Sequence, residues 1–372
     1  MCIMDLSKRT ILKSLLLSPL LSLTSVLANF GDKGKSIESS MHKKLLAPSL
    51  QKGDTIGFFS PSTPATSFAY KRFERAKKFL SAEGYKLKAG ALTGKKDFYR
   101  SGTIKDRAEE LNTLIRDPSV RCIMSTIGGM VSNSILPYID YQALKNDPKI
   151  IIGYSDVTAL LFGIYAKTGL ITYYGPALVS SFGEIGYFLN TTNQYFDAVV
   201  TQPKYPYLIE NPEFWTEEYI DWEQQSAEKE KIANQLVTLH SGKATGRLIA
   251  GNLNTLSGII GSEYMPEIEF GDILMIEDTF KTAAAVERSF SHLKLLGFFD
   301  RIGGLILGKH EHFDDQGSGR KSYEILMEVI GEAKIPILAE YDCSHTHPMI
   351  TLPIGSWVTL DADKQQLTIE SV

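Results

Sequence analysis

The chain has 372 residues, 43% of them apolar and 22% charged, with a formal net charge of −4. That length suffices for two ordinary domains, and the composition is that of a soluble globular protein. The slightly acidic balance speaks against non-specific nucleic-acid binding, and Cys2, Cys122 and Cys343 form no CxxC pair, so neither a disulfide framework nor a cysteine zinc site is indicated.

Residues 1–28 read as an export leader. Lys8 and Arg9 precede an apolar stretch from Leu15 to Leu23, and Val26, Leu27 and Ala28 offer a cleavage site. Ser7 to Lys13 is similar to a twin-arginine signal in which one arginine has become lysine. Lys13 and Pro19 interrupt the run too early for a transmembrane helix. The expectation is a mature protein that starts near Asn29 and is exported to the periplasm, with a cytoplasmic location as the alternative. Residues 29–51 are polar and read as a linker.

Asp54 to Phe59 reads as a buried strand that ends at the loop Ser60 to Thr63. Phe68 to Glu83 has helical spacing, and Tyr85 to Ala89 is a second strand. Thr103 caps a helix with Leu111, Leu114 and Ile115 on one face, and Asp117-Pro118 ends it. An apolar strand from Arg121 then runs into Gly128-Gly129 and a helix opening near Ser132. Lys149 to Gly153 is a further strand that enters a helix at Ser155-Asp156. This alternation implies a parallel α/β layer over residues 52–180, with ligands beyond the carboxyl ends of the strands. Ser60 to Thr63, Gly128 to Ser132 and Tyr154 to Asp156 gather at that edge.

Residues 181–243 are aromatic and acidic, with Trp215, Trp222 and a charge-rich run from Glu223 to Lys231. Composition favours a solvated helical connector, with a lid as the alternative. Residues 244–372 read as a second domain. Its strands are Gly246–Gly251, Gly271–Ile276 and Gly304–Gly308, its helices Thr282–Leu296 and Ser322–Ala333, and its tail Ile350–Leu367 alternates like short antiparallel strands.

Two serines sit on strand-to-helix turns, where unpaired helix N–H groups stabilise an oxyanion. Ser132 follows the glycine pair; Gly153-Tyr154-Ser155 comes closer to the G-x-S-x-G pattern but lacks its last glycine. Either serine also fits a helix cap. Four of the seven histidines fall in His310-Glu311-His312 and His345-Thr346-His347. Glu277 and Asp278 end an apolar strand, an expensive place for carboxylates unless they have partners. Asp278 also suits a helix cap, which leaves Glu277 unexplained. A metal reading of His310, His312, Asp314, Asp315, His345 and His347 is open, although HExxH spacing is absent.

At these residues the chain resembles the LD-carboxypeptidase family of serine peptidases and, within it, the microcin C self-immunity branch. The matching text is Gly128 to Ser134, Gly153 to Ala159, Tyr174 to Ala177, Gly251 to Leu256, Ile276 to Thr279, Glu287-Arg288, Gly308 to Glu311 and Cys343 to Gly355. It spans nearly everything from Lys44 to the C-terminus.

The resemblance implies an α/β fold, with an N-terminal flavodoxin-like parallel-sheet domain and a C-terminal β/α domain of the swivelling type. It also implies a dimer without metal or organic cofactor. It assigns the nucleophile after the glycine pair to Ser132, rather than Ser155, with Glu277 and His345 completing a Ser–Glu–His triad across the two domains. Backbone N–H groups of Gly129 and Asn133 are the candidate oxyanion hole. Asn254, Lys281 and Glu311 match ligand-binding positions of the immunity branch, and Trp215 or Trp222 would stack on a base. That branch cleaves an amide in a peptidyl- or aminoacyl-nucleotide; the other branch removes terminal D-alanine from murein tetrapeptide. No nucleic-acid polymer is expected as a partner. An exported two-domain ligand-binding protein is the alternative of another class.

Overall fold

The computed structural model describes residues 44–372; the leader lies outside the described residues. Five parallel strands form the first sheet: β1 (Thr55–Phe59), β2 (Lys86–Ala89), β3 (Val120–Ser125), β4 (Ile150–Gly153) and β5 (Thr172–Tyr174). β1 lies between β2 and β3, and β4 and β5 follow beyond β3. Helices cover both faces, so β4 reads as an unbroken buried run instead of alternating. The crossover helices Tyr70–Ala82, Ile104–Arg116 and Thr158–Thr168 follow the expected pattern. Thr103 caps the second in a reciprocal box with Asp106, as its sequence position implied.

The strand order reverses between β1 and β3. In an open sheet of this winding, the crevice beyond the strand ends at the reversal is the natural ligand site. Here it is bounded by Ser62-Thr63 after β1 and Gly128-Gly129 after β3, and the Thr63 N–H donates to the Gly128 carbonyl at 3.1 Å.

The insert departs from the expected helical connector. It holds the helix Tyr187–Phe196, which runs on into a π-helical turn at Asp197–Thr201, then β6 (Tyr207–Ile209) and a small hairpin of β7 (Phe214–Trp215) and β8 (Ile232–Ala233). The charged run between β7 and β8 is not helical. Its Gln225 and Lys229 are buried against Arg72 and Glu184, and Trp222 stacks on Phe68 and on the Arg72 guanidinium. Tertiary partners for buried charges therefore override the solvated reading of the run.

The second sheet is built around four parallel strands, β10 (Lys243–Asn252), β11 (Ile273–Glu277), β12 (Gly304–Gly308) and β13 (Ile337–Tyr341), with β9 (Val237–His240) antiparallel at one edge. β14 (Leu352–Ile354) crosses back and pairs antiparallel with β5, Leu352 opposite Tyr174. β15 (Trp357–Asp361) and β16 (Gln366–Ser371) close the other side, with β6 joining β16. β14 thus belongs to the first sheet, and just beyond it the Gly355 N–H donates to the Leu248 carbonyl of β10 at 2.8 Å. The carboxyl ends of β4, β10 and β11 meet at one place, where the Asn252 N–H donates to Thr158 Oγ1 and Thr158 Oγ1 donates to the Ser155 carbonyl.

Candidate active site

Ser155 occupies the turn between β4 and the helix Thr158–Thr168, and its φ is +62°. That left-handed conformation is costly for a residue with a Cβ and persists only where the surroundings impose it. Its backbone N–H donates to the Tyr174 hydroxyl at 3.1 Å, and its carbonyl accepts Thr158 Oγ1 at 2.7 Å. The turn lifts Ser155 into a cavity of about 270 Å³ that is also lined by Gly128, Gly129, Tyr154, Trp222, Glu311 and His345.

His345 and Glu277 stand together on the same edge. His345 Nδ1 donates to Glu277 Oε2 at 2.6 Å, which leaves Nε2 as the unprotonated ring atom. Glu277 is fully buried at the end of β11; its other oxygen accepts Tyr174 Oη at 2.5 Å and Asn252 Nδ2 at 3.0 Å. Burial alone would raise Glu277, but His345, Tyr174 and Asn252 together hold it below the ordinary carboxylate range. Burial likewise opposes charge on His345, yet the Glu277 carboxylate and its hydrogen bond raise the imidazole above its ordinary value. Tyr154 braces the ring edge-on, 5.0 Å between centroids.

Tyr174 and Asn252 carry part of this geometry, although nothing singled out their side chains in the sequence. Tyr174 joins the Ser155 turn to the buried carboxylate: it accepts from the Ser155 N–H and donates to Glu277. The run Tyr174 to Ala177 was visible as a motif, but a phenol at a strand end carries no mark of its partners.

Ser132, the nucleophile that the resemblance implied, lies outside the cavity that Ser155 and His345 line. Its side chain is buried to 0% exposure, its hydroxyl donates to the Asp156 carbonyl at 2.9 Å, and it does not line the cavity. The helix expected to open near Ser132 is a 3-10 helix, Ser132–Tyr138, containing Pro137. The glycine pair serves its neighbour instead. A Cβ on Gly128 would stand 2.8 Å from Ser155 Cβ and 3.0 Å from Ser155 Oγ, so Gly128 gives the serine room. Gly129 lines the cavity as expected, whereas Asn133 points its amide at the Gly258 carbonyl and takes no part in the lining.

The remaining candidates divide in the same way. Trp222 and Glu311 line the cavity, with Tyr219, Phe280 and His312. Trp215 does not: it lies under Lys309, whose ammonium is 5.4 Å from the ring and bonds Asp342 and Asn234. Asn254 and Lys281 are also outside the lining, and Lys281 Nζ bonds the Thr279 carbonyl. His310 is half-buried with its Nε2 accepting the Lys281 N–H; burial lowers its pKa to about 4. His347 faces Glu184 at 3.6 Å, but burial, then Lys229, lower it to about 3 and keep it neutral. Its backbone pairs with Thr216 in both directions, which fastens the insert two residues from His345. Among the described residues no three His, Cys, Asp or Glu side chains are grouped as a metal site would require.

Sequence profiles of the LD-carboxypeptidase N-terminal and C-terminal domains match residues 56–175 and 245–360. The microcin C7 self-immunity protein MccF of Escherichia coli is 54% identical over 330 residues, 87% of this chain and 95% of its own length. The murein tetrapeptide carboxypeptidase of Pseudomonas aeruginosa is 23% identical over 308 residues, 81% of this chain and 92% of its own. The apo structure of MccF superposes with a TM-score of 0.86, covering 88% of this chain and 99% of that one. Other MccF structures hold glutamyl sulfamoyl guanosine or aspartyl sulfamoyl adenosine at the same identity and TM-score. The two-domain α/β fold and both profile matches make this chain a serine peptidase of the LD-carboxypeptidase family.

Proposed function

We propose that the chain hydrolyses an amide bond with Ser155 as nucleophile, His345 as general base and Glu277 as its orienting acid. The observation that carries this reading is the His345–Glu277 bond at 2.6 Å, on a histidine that shares one cavity with a serine at φ +62°. His345 Nε2 takes the proton from Ser155 Oγ as that oxygen attacks the carbonyl, then delivers it to the departing amine. Glu277 holds the tautomer and offsets the charge of the imidazolium. It reaches that position with one more rotatable bond than aspartate has, and Tyr174 and Asn252 remove that freedom. The backbone N–H groups of Gly129 and Asp156 are the oxyanion donors that fit a serine at this turn. Water then attacks the acyl-enzyme, with His345 again as base. A buried, aligned acid–base pair has no use in a ligand-binding protein, which disfavours that alternative.

The substrate reading is an aminoacyl- or peptidyl-nucleotide. Its support is the 54% identity to MccF, whose structures hold aminoacyl sulfamoyl nucleosides, and a cavity mouth with Tyr219, Trp222 and Phe280 on its walls. In MccF an active-site mutant replaces a serine, an asparagine and a lysine by alanine; Ser155, Asn254 and Lys281 are the residues of those types that this reading gives to the site and its surroundings. The second reading, a murein tetrapeptide carboxypeptidase, is favoured by the export-like leader, because murein peptides are met outside the cytoplasm. Dimerisation and export belong to the proposal. Incubating the purified chain with aspartyl sulfamoyl adenosine and with murein tetrapeptide decides between the substrates: faster hydrolysis of the nucleoside supports the first reading, and turnover of the tetrapeptide alone overturns it.

A further inference from the structure

We infer that the Asp156 carboxylate is a positioning residue: with Ser62 it clamps the glycine loop so that the loop serves as the oxyanion hole. The inference rests on the reading of Ser155 as nucleophile. Asp156 follows Ser155 directly and is buried, at 4% exposure. Its Oδ2 accepts the N–H groups of Val131 and Ser132, both at 2.9 Å, and its carbonyl accepts Ser132 Oγ at 2.9 Å. Ser62 Oγ, from the loop after β1, accepts the N–H groups of Met130 at 3.0 Å and Val131 at 3.1 Å. Three successive N–H groups are thus turned inward to side chains.

The clamp is charge-balanced. Arg107, buried in the helix behind the loop, donates to the Val131 carbonyl at 3.1 Å and to the Pro61 carbonyl at 2.6 Å. The Val131 peptide therefore lies between a guanidinium and a carboxylate, which polarises it and fixes its plane. Glycine is needed in the loop for space: a Cβ on Gly129, whose φ is +146°, would stand 2.3 Å from Ser62 Oγ. A glycine pair is also the least ordered backbone available, because glycine loses more conformational freedom on folding than any other residue. Donors catalyse by being in place before charge develops, so a loop of this composition needs an external clamp to act. Ser132, whose hydroxyl supplies one of the clamp's bonds, acquires a role here.

A purely structural part for Asp156, as acceptor for the start of the 3-10 helix, would affect stability and leave the rate of the chemical step alone. The test compares full-length Asp156→Asn, which keeps an acceptor but loses the charge, with Ser62→Ala, which removes two bonds. Both are checked for cooperative melting and assayed on aspartyl sulfamoyl adenosine, or on murein tetrapeptide if that is the faster substrate. Each is expected to lower kcat by about 10- to 100-fold with KM within about threefold, as for the loss of part of an oxyanion hole. The acid limb of kcat/KM stays at the wild-type pH, because the His345–Glu277 pair is untouched. Wild-type kcat in both variants, a loss carried by KM alone, or a displaced acid limb would overturn the clamp. Ser155→Ala separates the two levels: full activity there breaks the nucleophile reading, while an inactive Ser155→Ala beside fully active Asp156→Asn and Ser62→Ala breaks the clamp only.

Discussion

Two turns in this chain have the same outline, an apolar strand, a glycine and a serine entering a helix, and they end in opposite states. The turn after β3 is held down at nearly every polar atom: Ser132 donates to Asp156, and Met130 and Val131 donate to Ser62. The turn after β4 holds its backbone through Tyr174 and Thr158 and turns Ser155 into the cavity at a positive φ. Bonding separates the roles. A serine whose hydroxyl is consumed by a carbonyl supports structure, and a serine in a strained turn beside an oriented histidine is available for chemistry.

The largest expected effects are at the serines themselves. Ser155→Ala is expected to lower kcat by about 10⁴-fold or more, as loss of a nucleophile does, whereas Ser132→Ala should cost no more than about tenfold because a single clamp bond is lost. Steady-state turnover of the two proteins checks this, and equal losses would dissolve the distinction. Glu277→Gln should cost about 10³-fold in kcat by losing control of the tautomer. It also carries a pH signature. His345 must be neutral to act as base, so its raised pKa places the acid limb of kcat/KM above the ordinary imidazole value. Without the carboxylate, burial dominates and the limb moves to lower pH; a limb that stays in place would show that another group titrates.

Smaller effects sharpen the picture. Tyr174→Phe removes the bridge between Ser155 and Glu277 and should lower kcat about tenfold; the Ser155 N–H loses its partner while Glu277 Oε1 keeps Asn252, a cost of about 1–3 kcal/mol in a denaturant melt. Trp222→Ala should raise KM for aspartyl sulfamoyl adenosine by about tenfold, in line with one stacking contact of 1–3 kcal/mol, with little change in kcat. If Trp222 only braces Arg72, stability falls and KM does not move.

Much of the fold was legible. β1, β3, β11, β12 and the second half of β10 are short apolar runs ended by glycine or polar turns, and their burial on both faces erases any competing period. The insert was not, because Gln225 and Lys229 are buried only through contacts with Arg72 and Glu184 far away in sequence. β13 carries no glycine boundary, so its limits are not marked in the sequence. At the site, Glu277 stood out as a carboxylate ending a buried strand, and His345 by its cluster. What separates the two serines is not legible in the sequence, because a positive φ is imposed by tertiary packing and is not written into a serine. Gly153-Tyr154-Ser155 has the tighter spacing of a nucleophile turn, and the glycine pair that drew attention to Ser132 is the space against which Ser155 packs.

The most direct measurement is the location of the acyl group. A reaction with aspartyl sulfamoyl adenosine, or with murein tetrapeptide if that is the faster substrate, is quenched in acid within the first turnover, and its peptides are mapped by mass spectrometry. The account predicts the added acyl mass on the peptide holding Ser155 and an unmodified Ser132. An acyl group found on Ser132 would contradict it.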